Sequence, residues 1–222
     1  MKDKLESSKV IKEKKLIRKE YLVSPKWGMP ILKKIKIPDE KIDFIAYDEI
    51  SKNETSIENL HKTVHFFIDD GKFRAVYESY NISQLKKLAQ YKYVLTPDFS
   101  VRVDMPLPIQ IYNVFRSRWC GAHWQNYNIK VIPTISWSDE RSYEFCFDGI
   151  EKGSTVAIST LGCKKSERLF MKGYNAMLKT IEPELIICYD SPFKEMEGNI
   201  KHIEYIYQGE VLIMGGEVLN HH

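Results

Sequence analysis

A chain of 222 residues with 43% hydrophobic and 12% aromatic residues can bury one sizeable core, and one domain is the default at this length. No run approaches the roughly eighteen uncharged apolar residues that cross a bilayer, and the chain opens with Lys2, Asp3 and Lys4 instead of a signal peptide's apolar stretch. No membrane partner is therefore expected, and the expected compartment is cytoplasmic.

The net charge of +3 is concentrated at one end, where residues 1–20 hold eight Lys or Arg against four acids. Such a segment attracts nucleic acid weakly and in a salt-sensitive way, while its interleaved Lys and Glu describe a solvated helix equally well. Residues 1–40 read as a basic N-terminal extension and 41–222 as a single α/β domain. The four cysteines, Cys120, Cys146, Cys163 and Cys188, have no paired spacing, so neither a zinc knuckle nor a disulfide framework is implied.

Short runs rich in β-branched and aromatic residues predict strands at Ile42–Tyr47, Val64–Ile68, Tyr93–Thr96, Lys130–Ser136, Thr155–Ser159, Leu185–Tyr189 and His202–Ile206. Between them, Ile82–Gln90 has helical spacing. Pro106–Gln125 follows Asp104 as a cap and puts Ile109, Tyr112, Arg116, Trp119 and His123 on one face. Ser166–Ile181 carries Ser166 as cap and the stripe Phe170, Tyr174, Met177, Leu178 and Ile181, stopped by Pro183. Mostly parallel strands alternating with helices give an α/β fold, with a small or incomplete TIM-like barrel favoured over an open doubly wound sheet because no G-x-G-x-x-G or Walker loop follows any strand.

Polar groups stand after successive strands: Asp48, Asp69 and Asp70, Asp98, Ser138 and Asp139, Ser159 and Thr160, and Asp190. If the strands are parallel, their C-terminal ends share one rim and these residues converge. Each Asp taken singly is also an ordinary helix cap or Asx turn. Together the carboxylates suit acid/base chemistry, or oxygen ligation of a hard cation such as Mg²⁺. The segment Thr96–Pro106 brings Asp98 and Asp104 around Arg102, and Pro133–Arg141 sets Trp137 beside Ser138, Asp139 and Arg141, where an indole either stacks a base or packs as core. Ser159–Ser166 offers hydroxyls, Gly162 and two lysines before a helix, an arrangement that suits an anion or a plain turn. His61 and His65 do not share a helical face, and His123 is a general base or a core histidine.

Several longer segments carry a resemblance: HFFIDD at 65–70, LTPDFSVRVDMP at 95–106, QIYNVFRSRW at 110–119, VIPTISWSDERS at 131–142, FCFDGIEKGSTVAISTLGC at 145–163 and IICYD at 186–190. Together they resemble a family catalogued as a domain of unknown function (4417), met in phages, plasmids and bacterial genomes. The resemblance implies mobile-element biology and a bias towards nucleic acids; it assigns no catalytic residue. Its pattern has Gly after Tyr189, where this chain has Asp190.

The leading functional expectation is an enzyme of nucleic-acid or nucleotide processing. In it Asp98, Asp104, Asp69, Asp70 and Asp139 form the catalytic carboxylate set, Trp137 and Ser138 hold the substrate, and Arg116, Arg118 and Arg141 contact phosphate. The rival is a non-catalytic accessory factor that binds DNA or a protein through the basic segment. A third reading, carbohydrate chemistry by paired carboxylates, depends on a separation that sequence does not supply.

Overall fold

The computed structural model describes residue 18, residues 21–79 and residues 82–205. Most of the basic segment 1–20, and the predicted end of the last strand at Ile206, lie outside the described residues. Four strands, β1 (Phe44–Ala46), β2 (Thr63–His65), β3 (Tyr93–Leu95) and β4 (Val131–Ile132), form one sheet in the order β1-β2-β3-β4. A second sheet holds β5 (Thr155–Ser159), β6 (Leu185–Tyr189) and β7 (Ile200–Ile203) in the order β5-β6-β7. Every strand pairing is parallel. The helices are α1 (Ile57–Leu60), α2 (Asp70–Phe73), α3 (Ala75–Glu78), α4 (Ile82–Leu88), α5 (Leu107–Asn126), α6 (Tyr143–Cys146) and α7 (Glu167–Ile181). They occupy every crossover up to β6, as parallel pairing of successive strands requires a long connection.

The strands are shorter than their hydrophobic runs, most of all β4, whose predicted span of seven residues keeps regular pairing only at Val131–Ile132. Past Pro133 the next donor towards β3, Thr134 N–H, goes to the Thr96 hydroxyl and not to a backbone carbonyl. Beyond it the chain passes its hydrogen bonds to the other sheet, since Ile135 N–H donates to Ala157 O (2.8 Å) and Ala157 N–H to Pro133 O (2.9 Å), with a parallel bridge between Thr134 and Ala157. The last strand begins two residues before its predicted start because Ile200 pairs with Ile186 and Ile203 with Tyr189, an edge register that the mixed polarity of Ile200–Ile203 does not announce.

Alternation along β5 and β6 divides the core in two. Val156, Ile158, Ile186 and Cys188 face α7, which covers them with Phe170, Tyr174, Met177 and Ile181. Ala157, Ile187 and Tyr189 point the other way, into a cluster shared with residues of β1, β2 and β3. In that cluster the Tyr189 ring stands 5.6 Å from Phe44, 5.0 Å from His65 and 5.1 Å from Phe67, centroid to centroid. The segment 21–40 joins this cluster through the fully buried Leu32 and the α7-side cluster through the fully buried Met29. Leu32 N–H donates to Gly149 O at 2.9 Å.

Helix α5 departs from its sequence pattern. Ile109 and Tyr112 are about half exposed, while Gln110, Asn113, Ser117 and Arg118 are buried. The buried side is polar because each of these groups answers a partner: Gln110 donates to Met105 O (2.8 Å), Asn113 to Ser100 O (2.6 Å) and Ser117 to Thr96 Oγ1 (3.1 Å). Asp104 is not its cap; it pairs with Arg102, and Pro106 occupies the N-cap without a side-chain bond. Ser166 likewise gives α7 no cap bond, its hydroxyl donating back to Cys163 O at 3.2 Å.

The deepest tie is Arg118, whose guanidinium donates to Asp148 O (3.1 Å), Thr134 O (3.1 Å) and Cys146 O (2.6 Å). Burial lowers its pKa to about 10 and leaves it a cation at neutral pH. Replacing it by Met strips three carbonyls of a buried donor at about 1–3 kcal/mol each. Arg118→Met is therefore expected to lose about 3 kcal/mol or more, read as a fall in the urea midpoint.

Candidate active site

The C-terminal strand ends meet at one cleft of about 1590 Å³, and the junction of the two sheets sets its centre. Thr134 N–H donates to Thr96 Oγ1 (2.8 Å) and Thr134 Oγ1 to Thr96 O (2.7 Å). This pair locks the chain leaving β3 beside the chain leaving β4. Two residues further along each, Asp98 and Ser136 come together, and the Ser136 hydroxyl bonds the Asp98 carboxyl. The other oxygen, Oδ1, is buried with no hydrogen-bond partner among the described residues. Burial, opposed by the Ser136 bond and assisted by the charge of Asp70, pushes the Asp98 carboxyl up to about 7. Burial and the Asp98 charge also raise the neighbouring Cys163 thiol, which holds it protonated and makes it a poor nucleophile.

Asp69 and Asp70 line the same cleft, but both are engaged. Asp69 caps α2 by accepting Gly71 N–H at 2.8 Å, and Asp70 accepts the Ser100 N–H (3.2 Å) and hydroxyl (3.1 Å). Trp137 and Ser138 also line it. The indole packs on Phe170 (4.9 Å) and Phe147 (6.0 Å) and lies directly over Gly173, where a Cβ would overlap the ring. Ser138 donates to Gln110 Oε1 at 2.6 Å, which ties the cleft wall to α5.

The remaining expected residues lie elsewhere. Asp104 is exposed and held below the ordinary carboxylate range by Arg102 (3.1 Å), and it does not border the cleft. Asp139 caps the 3₁₀ turn Glu140–Ser142 and pairs with Arg141 at 2.6 Å, outside the cleft. Arg118 is spent on its three carbonyls, and Arg116 lies over the Phe99 ring at 3.8 Å and bonds Asn113. Neither reaches the cleft lining. His123, stacked on Trp119 and bonded to the Tyr21 hydroxyl, belongs to the far side of α5.

The charge of the cleft runs against the expected phosphate role. Its lining holds eight carboxylates against five Lys or Arg among the described residues. Each of the five already has an acid beside it: Lys41 with Asp43, Lys62 with Glu58, Lys72 with Asp48, Arg102 with Asp104 and Lys201 with Asp39. No three His, Cys, Asp or Glu side chains among the described residues stand close enough to share a metal ion. None of the described helices is long and apolar enough to cross a membrane.

The family profile described as Domain of unknown function (DUF4417) matches residues 21–206, which includes every strand and the whole cleft rim. The chain belongs to the DUF4417 family. It is 43% identical over 129 residues to the Gene 1 protein of Mycobacterium phage L5, covering 57% of this chain and 56% of that protein. It has the same identity over the same length to the Gene 1 protein of Mycobacterium phage D29, covering 47% of that protein. This DUF4417 chain thus spans about half the length of the curated relatives it matches. No solved structure matches it.

In this DUF4417 member Asp190 adopts a φ of +68°, a left-handed conformation that explains why glycine suits the position. Its carboxylate compensates by accepting Ser191 N–H at 2.7 Å. Sequence reading passed over His65, Ser100 and Ser136, which all line the cleft. Ser136 was legible from Thr134 once β4 was seen to change partners, whereas nothing in the sequence sets His65 apart from a core residue.

Two outcomes follow for the cleft wall. Gly173→Ala drives a methyl into the indole and is expected to cost about 1–3 kcal/mol, with a shifted Trp fluorescence spectrum. Asp98 ionises more easily in the unfolded chain (3.8) than in the folded one (about 7). Its penalty is absent below about pH 4 and grows as pH rises through 7. Asp98→Asn should therefore gain stability over the parent between pH 4 and 8, by up to about 4 kcal/mol, in thermal melts across that range.

Proposed function

We propose that this DUF4417 chain is an enzyme that transfers a proton on a nucleoside- or nucleotide-sized substrate, with Asp98 as the general acid/base, and that its strands form an incomplete TIM-like barrel. The observation that carries the reading is a buried carboxyl poised near neutrality beside an aromatic wall, at the rim where parallel α/β folds build their sites. The barrel part is supported by the unbroken parallel order across both sheets and by the rings of β1, β2 and β6 in contact. A flat sheet at about 4.8 Å per strand would hold β1 and β6 about 24 Å apart. The cytoplasm as compartment accords with four free cysteines.

A group near pH 7 exists in both protonation states at neutrality, so Asp98 can take a proton from substrate and return it. Ser136 bonds the carboxyl, while Oδ1 is buried without a partner and leaves the ionised form poorly solvated, so the cleft-lining carboxyl exchanges its proton near neutrality. Asp70, tied to Ser100, keeps a negative charge nearby and favours the protonated form of Asp98. Trp137 offers a face for a planar ring, and Gly173 lets the indole sit flush with the wall. Because the cleft's cations are already paired, the part of the substrate held here is the base or sugar, with phosphates directed towards solvent.

The test is a turnover screen with nucleosides, nucleotides, short single-stranded oligonucleotides and glycosides. One of the first three classes is expected to react with a rate that titrates near pH 7. Asp98→Asn should lose about 10²–10⁴ in kcat with binding within a few fold, and Asp104→Asn should match the parent. Undiminished turnover in Asp98→Asn would sink the proposal, and turnover of glycosides alone would move it to carbohydrate chemistry. If no class reacts and deletion of residues 1–20 abolishes function in cells, the accessory-factor reading replaces it.

A further inference from the structure

We propose that His65 is a specificity-determining residue on the cleft floor, presenting its Nε2–H to a hydrogen-bond acceptor of the substrate ring, a carbonyl oxygen or an unprotonated ring nitrogen. The proposal rests on the reading of the cleft as a nucleoside-sized substrate site and names what selects among such substrates.

The tautomer follows from geometry. His65 Nδ1 lies 3.2 Å from the backbone N of Phe67, and a backbone N–H only donates, so Nδ1 must offer its lone pair. A neutral ring in that position carries its proton on Nε2, and a doubly protonated ring would set one N–H against another. The ring is also enclosed by aromatic neighbours. Phe44 stacks on it at 5.2 Å and Phe67 at 5.9 Å, and Tyr189 lies tilted against it at 5.0 Å. The Phe67 N–H bond to Nδ1 and the residue's burial, 5% exposed, favour this orientation over the flipped one.

His65 lines the cleft, and no hydrogen bond from Nε2 is formed with any described residue. Nε2 is not among the buried atoms left without a partner, so it is open to the cleft; a ring that covers it must bring an acceptor, and an analogue lacking the acceptor leaves the donor unpaired and binds more weakly. The nearest charges, Asp48 and Glu49 beyond the end of β1, favour protonation of the ring, but burial outweighs them and holds its pKa at about 4. The donor is therefore present unchanged across the neutral range. Tyr189, pushed up to about 12 by burial, stays neutral and adds no charge. His65 and Asp98 both border the cleft, with His65 on β2 and Asp98 just after β3, so one substrate ring can be read by the first while the second exchanges its proton.

The experiment uses the full chain with ¹⁵N-labelled histidine. In the free protein His65 is expected to show the Nε2–H tautomer with no titration between pH 5 and 8; an Nδ1–H tautomer, or a midpoint near 6.5, overturns the proposal even if no variant folds. Adenosine, guanosine, cytidine and uridine are then titrated, following Trp fluorescence for binding and the His65 Nε2 resonance for contact. The nucleoside that binds should shift that resonance and lose about tenfold or more in affinity with His65→Phe. His65→Gln, which retains a donor, should recover part of the loss. Quenching by a nucleoside with His65→Phe binding as well as the parent refutes the role of His65 and leaves the site reading standing. Absence of binding by all four refutes both.

Discussion

The reciprocal bonding of Thr96 and Thr134 is the constraint on which the site depends. The regular ladder between β3 and β4 ends at Ile132, just where the chain must leave one sheet for the other, and a broken ladder normally strands backbone groups. Here a side chain completes each half: the Thr96 hydroxyl accepts the Thr134 N–H, and the Thr134 hydroxyl returns a bond to the Thr96 carbonyl. Ser117 and Arg118, one turn of α5, reach the same two threonines and hold the helix to the junction. The two chains then run on in fixed register, and the residues two places beyond, Asp98 and Ser136, meet as a consequence.

That arrangement explains why α5 is polar on its buried side. A helix crossing the end of a sheet junction faces carbonyls and hydroxyls that no sheet has satisfied, so an apolar stripe would strand them at about 1–3 kcal/mol apiece. Gln110, Asn113, Ser117 and Arg118 supply donors at successive turns instead. Among the described buried side-chain atoms without a hydrogen-bond partner, Asp98 Oδ1 belongs to the residue that lines the cleft.

The cleft combines two groups with opposite perturbations. Burial raises Asp98 and lowers His65, so in the neutral range the first is half protonated and the second uncharged. Their contributions to stability oppose one another with pH: ionised Asp98 costs stability as pH rises through 7, and the neutral His65 costs it as pH falls from 6.5 towards 4. With the surrounding lysines and Arg102 already paired, the cleft is a polar, aromatic site without a strong field of its own.

Much of the fold was legible because its signals are local. Hydrophobic runs broken by turn residues located the seven strands, and the stripe Phe170, Tyr174, Met177 and Ile181 located α7, since a helix or strand facing one core must repeat with its own period. Runs of β-branched residues also brought Asp69, Asp70, Asp98, Trp137 and Ser138 to strand ends, and these border the cleft. Asp104, Asp139 and Arg141 looked equivalent in sequence, but each satisfies a neighbour two residues away, a short-range bond that removes a side chain from long-range chemistry. The sequence by itself determined the parallel α/β plan and the candidate rim, because period and turn chemistry are written residue by residue. Only the tertiary structure decided which carboxyl is desolvated, which arginines are spent on carbonyls and which nitrogen of His65 carries the proton, because burial and partner geometry depend on residues far apart in the chain.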